Sequence, residues 1–382
     1  MSAKLLFLGD FCIEGGGGPN LSSELLNMMR TSDVVSVNFE GPIRCNAEPF
    51  PKVGPALSQN ALVASLLKSW GVNFVCLANN HIMDYGSSGI KHTLNILDDF
   101  QVIGAGNTLD EAYSSQIIDI RGISVAMLAF SEAQFGAYTD ENYNDNVGGG
   151  YAWVGHPLAR KAVQTAREEA DYVIVQVHAG LEMVEIPLPE WRMCYRELID
   201  LGADLVIGHH PHVIQGHELY NGKDIYYSIG NFFMDRMTNS YGIQGGGVEV
   251  DVSDLGVRTT FIPLKIEEGS VLIDMSDNAR VQFDRATFIL ENCNEYRVKI
   301  DEVCEQYWEL YYSKYYEFSL NGFGLKLSLS SLYRFTKSLI KNFFSTGKTN
   351  QSLKTLMLIH NTKIETHRWV VERALLNRSM KK

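Results

Sequence analysis

Residues 205–213 read Leu-Val-Ile-Gly-His-His-Pro-His-Val. Three apolar residues bounded by Gly208 and Pro211 make a short buried strand, and imidazoles stand at its end. The same pattern recurs along the chain. Lys4–Leu8 is strand-like and ends at Gly9-Asp10. Val34–Val37 leads into Asn38-Phe39-Glu40-Gly41, and Phe74–Leu77 into Asn79-Asn80-His81. Tyr172–Val177 runs into His178. Five separate strand-like runs thus end in groups able to bind a metal.

Helical stretches lie between these runs. They are Leu21–Arg30 with Ser22 or Ser23 near its cap, Asn60–Trp70 ending at Gly71, Ser87–Phe100, Ala159–Glu169 and Pro189–Leu201. Strand and helix in alternation predict an α/β fold with parallel or mixed sheets. Ile117–Ile120 and Ser124–Phe130 read as a hairpin around Arg121-Gly122. From Glu218 onward the pattern turns more antiparallel, with strands at Ile225–Ile229, Gly247–Val252 and Val257–Ile266. The glycine-rich spots Gly15–Gly18, Gly148–Gly150 and Gly245–Gly247 read as loops, and none has the spacing of a nucleotide cradle. Beyond about Asp284 the chain is aromatic-rich and helical. The expected domains are 1–280 and a basic helical region, 281–382.

The chain has 382 residues, 45% of them hydrophobic, enough for a real core. No apolar run approaches the roughly 20 residues that span a bilayer. The first apolar run is too short for a signal peptide, so a cytoplasmic location is expected. Six scattered cysteines with no CxxC spacing argue for reduced thiols, against a zinc ribbon or a disulfide framework. The net charge of −12 divides unevenly: residues 313–382 carry 13 Lys+Arg against 3 Glu. The acidic remainder excludes a general nucleic-acid binder. The basic tail is suited to an anionic membrane, a polyanion or the acidic body. Its segment Tyr333–Phe344 reads as a packed helix or as a peripheral contact with the inner face of the membrane.

In open α/β sheets, ligands bind at the carboxyl edge of the strands. Groups leaving several strands at that edge converge, however distant in sequence. Asp10, Glu40, Asn80, His178, His210 and His212 are therefore the expected metal ligands, enough for two divalent ions. Mixed imidazole and carboxylate suit zinc, manganese or iron. Such a centre lowers the pKa of a bound water and clamps an anionic oxygen centre. Asp10 or Glu40 would bridge, Asn80 would offer its carbonyl oxygen, and His81 would protonate a leaving group. Pro211 is expected to hold the preceding residue extended and so fix the two flanking imidazoles. Asp84 either supports a ligand histidine or caps a helix. Glu182 contacts substrate, orients His178, or belongs to a solvated face. Asn231 is a turn residue or a site residue.

Taken in order, these blocks resemble the CapA family of capsule, or poly-γ-glutamate, biosynthesis, a branch of the calcineurin-like metallophosphoesterase superfamily. The blocks are Gly9-Asp10, Asn38-Phe39-Glu40-Gly41, Asn79-Asn80-His81 with Asp84-Tyr85-Gly86, His178-Ala179-Gly180 with Glu182, Gly208–Val213 and Tyr227–Phe232. The resemblance covers about residues 3–275. It implies a metallophosphoesterase-like αββα sandwich with metals at the strand ends, and leaves the C-terminal helical appendage outside. Residue by residue, it implies a metal-ligand Asn80, an acid or phosphate-contacting His81, and ligands His178, His210 and His212, with His209 their neighbour. The superfamily opens with Asp-x-His where this chain has Asp10-Phe11-Cys12, so Cys12 could stand in only as a thiolate. Asn38 and Glu40 stand where its bridging Asp would fall.

The resulting expectation is a metal-dependent hydrolase. Its catalytic groups are His81, Asp84 and Glu182, and its substrate contacts are Asn38, His209 and Asn231. It would act on a phosphoester or γ-glutamyl amide during synthesis, export or attachment of an anionic capsular polymer, alongside synthase subunits. One alternative is a non-catalytic metal-binding accessory subunit of a polymer synthase. The other is a nucleotide phosphoesterase unrelated to capsule.

Overall fold

The first strand, Ser2–Cys12, extends well past its apolar run because its ladder continues through Asp10. Leu5–Leu8 pair parallel with Val34–Val37, and after a register shift Asp10 lies opposite Asn38. On its other edge Asp10 lies opposite Asn231. The computed structural model describes residues 2–15, 17–138, 148–236, 244–320 and 350–380, which leaves the segment Tyr333–Phe344 outside the described residues.

Ser2–Cys12 sits inside a nine-stranded sheet. The order is Asn20–Leu21, Ser270–Ile273, Gly256–Glu267, Gln244–Ser253, Ser2–Cys12, Val34–Phe39, Phe74–Cys76 and Gln101–Ile103, with Asn231–Met234 also pairing the first strand. A six-stranded sheet runs His217–Tyr220, Lys223–Tyr226, Leu205–His209, Tyr172–His178, Ile123–Ser131 and Gln116–Ile120. Alternation along the first strand sets the layers. Ala3, Leu5 and Phe7 pack with Val125, Met127, Ile174, Leu205 and Ile207 of the second sheet. Leu6 and Leu8 point the other way, onto Leu25, Met29, Val63, Leu67 and Ile90 of three helices. A strand buried on both faces reads as a continuous apolar run, as Leu5–Leu8 does. Helices Pro157–Glu169 and Pro189–Asp200 pack against the second sheet. The result is an αββα sandwich, as expected.

Local signals set the helix ends. Ser22 caps Ser23–Thr31 by accepting from the Leu25 amide at 3.2 Å. Gly71 ends Val63–Trp70 at φ +90°, a left-handed position that suits glycine. Arg121 and Gly122, at φ +57° and +83°, form the expected hairpin turn. One expectation fails: Gly245–Gly247 lie within the strand Gln244–Ser253. A Cβ on Gly245 would fall 1.8 Å from the Asn231 carbonyl oxygen, and one on Gly246 would fall 2.2 Å from the Phe261 ring. Glycine marks close backbone approach here instead of a loop.

The chain forms two compact units, Met1–Phe50 with Ala56–Cys293, and Pro51–Pro55 with Asn294–Lys382. The second is helical. Tyr307, Tyr311 and Tyr315 follow one another with tilted rings at 5.4 and 6.5 Å, and Arg378 pairs with Glu305 and Glu309. Among the described residues, no helix is long and apolar enough to cross a membrane.

Candidate metal centre

Four strand ends and two adjoining loops meet at one rim. Asp10 is its hub and is fully buried. One carboxylate oxygen accepts from the Asn38 amide at 2.7 Å and lies 3.8 Å from Nδ1 of both His178 and His209. The other lies 3.3 Å from His212 Nδ1 and accepts from the His210 backbone at 3.2 Å. Glu40, also buried, lies 3.7 Å from His212 Nε2 and 3.9 Å from His81 Nε2. Ligand atoms of Asp10, Glu40 and His212 all lie within 4.8 Å of one another.

The backbone fixes these positions. Asn79 accepts from the Gly41 and His81 amides and donates to Phe39 and Leu77, which ties the Glu40 and His81 segments together. Gly208 precedes the histidines because only hydrogen fits there: a Cβ would fall 1.9 Å from the Tyr227 carbonyl oxygen. Gly208→Ala is expected to cost about 3 kcal/mol of stability through overpacking, measured by urea unfolding. An unchanged midpoint would contradict this close approach.

Pro211 does not hold its predecessor extended, as the sequence suggested. His210 sits at φ +96° and His212 at φ +58°. Such non-glycine backbones are strained and persist where surroundings over-determine them. Here the His210 amide is held by Asp10, and Pro211 accepts from Met183 at 2.9 Å.

Around the three-residue group stands a hydrogen-bonded ring of amides and imidazoles. His178 is engaged on both sides, with Nδ1 2.9 Å from the Asn38 amide and Nε2 3.0 Å from the Asn80 carbonyl oxygen. Its ring lies 4.6 Å from that of His210. Asn231 places its carbonyl oxygen 3.0 Å from His212 Nδ1, so it belongs to the site. His209 meets Gln176 through Nε2 at 3.3 Å, while its Nδ1 faces Asp10 at 3.8 Å. His81 Nδ1 lies 2.6 Å from Asp84, which also accepts from the Leu57 amide. Glu182 is exposed on the loop after Tyr172–His178, yet its charge acts on Glu40, His210 and His212.

Burial and crowding set the charge states. Burial raises the Asp10 pKa, but the hydrogen bond and charge of His212, with His209 and His210, outweigh it and hold it below the usual range. Burial raises Glu40 to about 8, against the pull of His212. Burial lowers His212, but Glu40 and Asp10 raise it to about 10. Burial lowers His209 and His210 to about 4, and it lowers His178 strongly, helped by the neighbouring imidazoles. Cys12 packs with Leu57 and Met234, and burial with the charges of Glu40 and Asp235 pushes its thiol up.

Does this donor set fit a cation? Among the described residues, Glu40 Oε2, Asn38 Oδ1, His209 Nδ1 and His210 Nδ1 are buried without a hydrogen-bond partner. Buried polar atoms are rarely left so. Carboxylate oxygens and imidazole nitrogens with free lone pairs are the donors that zinc, manganese and iron accept. The group of Asp10, Glu40 and His212, whose ligand atoms lie within 4.8 Å of one another, can hold a divalent cation, with His212 giving up a proton as the ion binds. Asn80, His178 and His210 stand beside it.

Sequence reasoning passed over Glu132. It is fully buried just after Ile123–Ser131, with Oε1 3.4 Å from His210 Nε2. The signal was present, since this too is a carboxylate at a strand end.

Known proteins are similar to this chain. The PGA biosynthesis protein CapA of Bacillus subtilis (strain 168) is 32% identical over 228 residues, 58% of this chain and 59% of that protein. The capsule biosynthesis protein CapA of Bacillus anthracis is 30% identical over 256 residues, 63% of this chain and 60% of that protein. A probable polyglutamine synthesis accessory protein of Mycobacterium tuberculosis (strain ATCC 25618 / H37Rv) is 26% identical over 214 residues, 53% of this chain and 56% of that protein. The chain thus spans less than two thirds of the length of these relatives. The family described as bacterial capsule synthesis protein PGA_cap matches residues 4–236, a range that contains every strand end at the rim. This chain belongs to that family.

Proposed function

We propose that the chain is a metal-dependent hydrolase working on an anionic capsular polymer of the poly-γ-glutamate type, at a phosphoester or a γ-glutamyl amide. One observation carries this reading: Asp10, Glu40 and His212, buried and remote in sequence, bring ligand atoms within 4.8 Å of one another. The αββα sandwich with acidic and imidazole groups at its strand ends is also the arrangement that the metallophosphoesterase resemblance implies.

Asp10, Glu40 and His212 would hold one ion, with His178, His210 and Asn80 adjacent for a second. A divalent ion there lowers the pKa of a bound water and draws in an anionic oxygen centre. The chain's own residues do the rest. Asp84 grips His81 through Nδ1 and leaves Nε2 facing the Glu40 side of the rim. His81 is partly exposed, so substrate reaches it, and it donates the proton that the leaving group needs. Asn38 and Asn231 hold His178 and His212 in register.

The test is metal analysis of the purified chain beside a screen of phosphoesters and γ-glutamyl peptides. Turnover that depends on added zinc, manganese or iron is expected. His81→Ala should then lower kcat by about 10²–10⁴-fold, the usual contribution of a general acid, while bound metal is retained. Equal kcat in His81→Ala would remove it from the reaction.

A second reading has a specific observation behind it. Cys12 stands where the superfamily's opening Asp-x-His has its imidazole, and it packs with Leu57 and Met234, outside the group of Asp10, Glu40 and His212. The rim would then bind an anionic chain end for a polymer synthase without turnover. Bound metal, no hydrolysis in the screen and co-purification with a synthase subunit would select this reading.

A further inference from the structure

We propose that Glu132 is a positioning residue for His210: it takes the Nε2–H of that imidazole and leaves Nδ1 as the bare nitrogen. The metal reading above matters only to what Nδ1 then serves.

Glu132 is a wholly buried carboxylate, and one needs a partner to remain so. Its Oε1 lies 3.4 Å from His210 Nε2 and accepts from the Gln134 amide at 2.6 Å. Its backbone is fixed from two sides. The Glu132 amide donates to the His178 carbonyl at 3.1 Å, and the Tyr151 hydroxyl donates to the Glu132 carbonyl at 3.3 Å. The carboxylate therefore has little freedom to leave.

His210 is held from both ends. Asp10, on the nine-stranded sheet, accepts from its backbone, and Glu132, at the end of the six-stranded sheet, faces its ring. Its Nδ1 is buried without a hydrogen-bond partner. A neutral imidazole carries one N–H, and a carboxylate beside Nε2 draws that hydrogen there. Nδ1 then carries the free lone pair. Ligand histidines commonly donate their other N–H to a carboxylate, which fixes the tautomer and the ring orientation.

The experiment uses the full chain labelled with ¹⁵N-histidine, with the His210 signals identified by their absence in His210→Gln. Long-range proton–nitrogen spectra at neutral pH are expected to show His210 protonated on Nε2 and bare on Nδ1. Glu132→Met, similar in volume and lacking an acceptor, should mix the two tautomers. Glu132→Gln, which keeps an acceptor oxygen, should restore the wild-type pattern. A cobalt(II) titration of the same proteins should show affinity about 10–100-fold weaker in Glu132→Met, with an altered visible spectrum. An Nδ1-protonated His210 in the wild type, or an unchanged tautomer in folded Glu132→Met, would overturn the proposal. Absence of cobalt binding by the wild type would instead overturn the metal reading, and the tautomer spectra would still decide the role of Glu132.

Discussion

Asp10→Ala is expected to abolish divalent metal binding and to destabilise the first unit by about 3 kcal/mol, the range for removing one partner of a buried charge pair. Several polar groups rest on this one carboxylate. Its two oxygens meet the Asn38 amide, the His212 ring and the His210 backbone, with His178 and His209 at 3.8 Å. Without the carboxylate, the acidic groups left to act on His212 are Glu40, which burial raises to about 8, and the exposed Glu182. The strained His210 backbone also loses its acceptor. Asp10→Asn separates the two effects, because it keeps the volume and loses the charge. It should lose the metal and destabilise less. Urea unfolding and elemental analysis read both quantities, and an Asp10→Asn protein with full metal content would remove this carboxylate from the ligands.

His212→Asn should weaken metal binding by at least about 100-fold, the upper end of the usual range for disrupting a site, and should cost about 3 kcal/mol of stability, because it removes the other partner of the buried pair with Asp10. His212 reaches Asp10 with one ring nitrogen and Glu40 with the other. It is the only imidazole among the described residues in the three-residue group. Asparagine is the appropriate replacement because His212 sits at φ +58°, which asparagine tolerates better than most residues. A loss of metal then reflects the missing imidazole and not a broken turn. Cobalt titration and thermal unfolding give the two numbers. Unchanged affinity would show that the centre does not need His212.

Much of this arrangement is legible in the sequence because apolar runs that end in polar groups obey one rule. In Lys4–Leu8, Val34–Val37, Tyr172–Val177 and Leu205–Ile207, the first polar residue after the run, one or two positions on, lands at the carboxyl rim of a buried parallel strand. That rule brings Asp10, Asn38, His178 and the 209–212 histidines together. It fails where pairing is ambiguous. Ser124–Phe130 reads as half of a hairpin, and it does pair antiparallel with Gln116–Ile120. It also pairs parallel with Tyr172–His178, and this second pairing sends Glu132 to the rim. Periodicity reports a strand but not how many neighbours it has. Gly245–Gly247 mislead for a related reason, since glycine marks both turns and close approaches. The backbone of His210 was beyond reach too. Proline biases its predecessor toward extended geometry, and here the tertiary contacts of the His210 amide with Asp10 and of Pro211 with Met183 hold the other outcome.

The central claim is that Asp10, Glu40 and His212 together hold a divalent cation. Elemental analysis of the full chain, dialysed after loading with zinc or manganese, tests it most directly when the wild type and His212→Asn are run side by side. At least one ion per wild-type chain, with near-background content in the variant, is the result predicted. Background metal in the loaded wild type, or equal metal in both proteins, would contradict it.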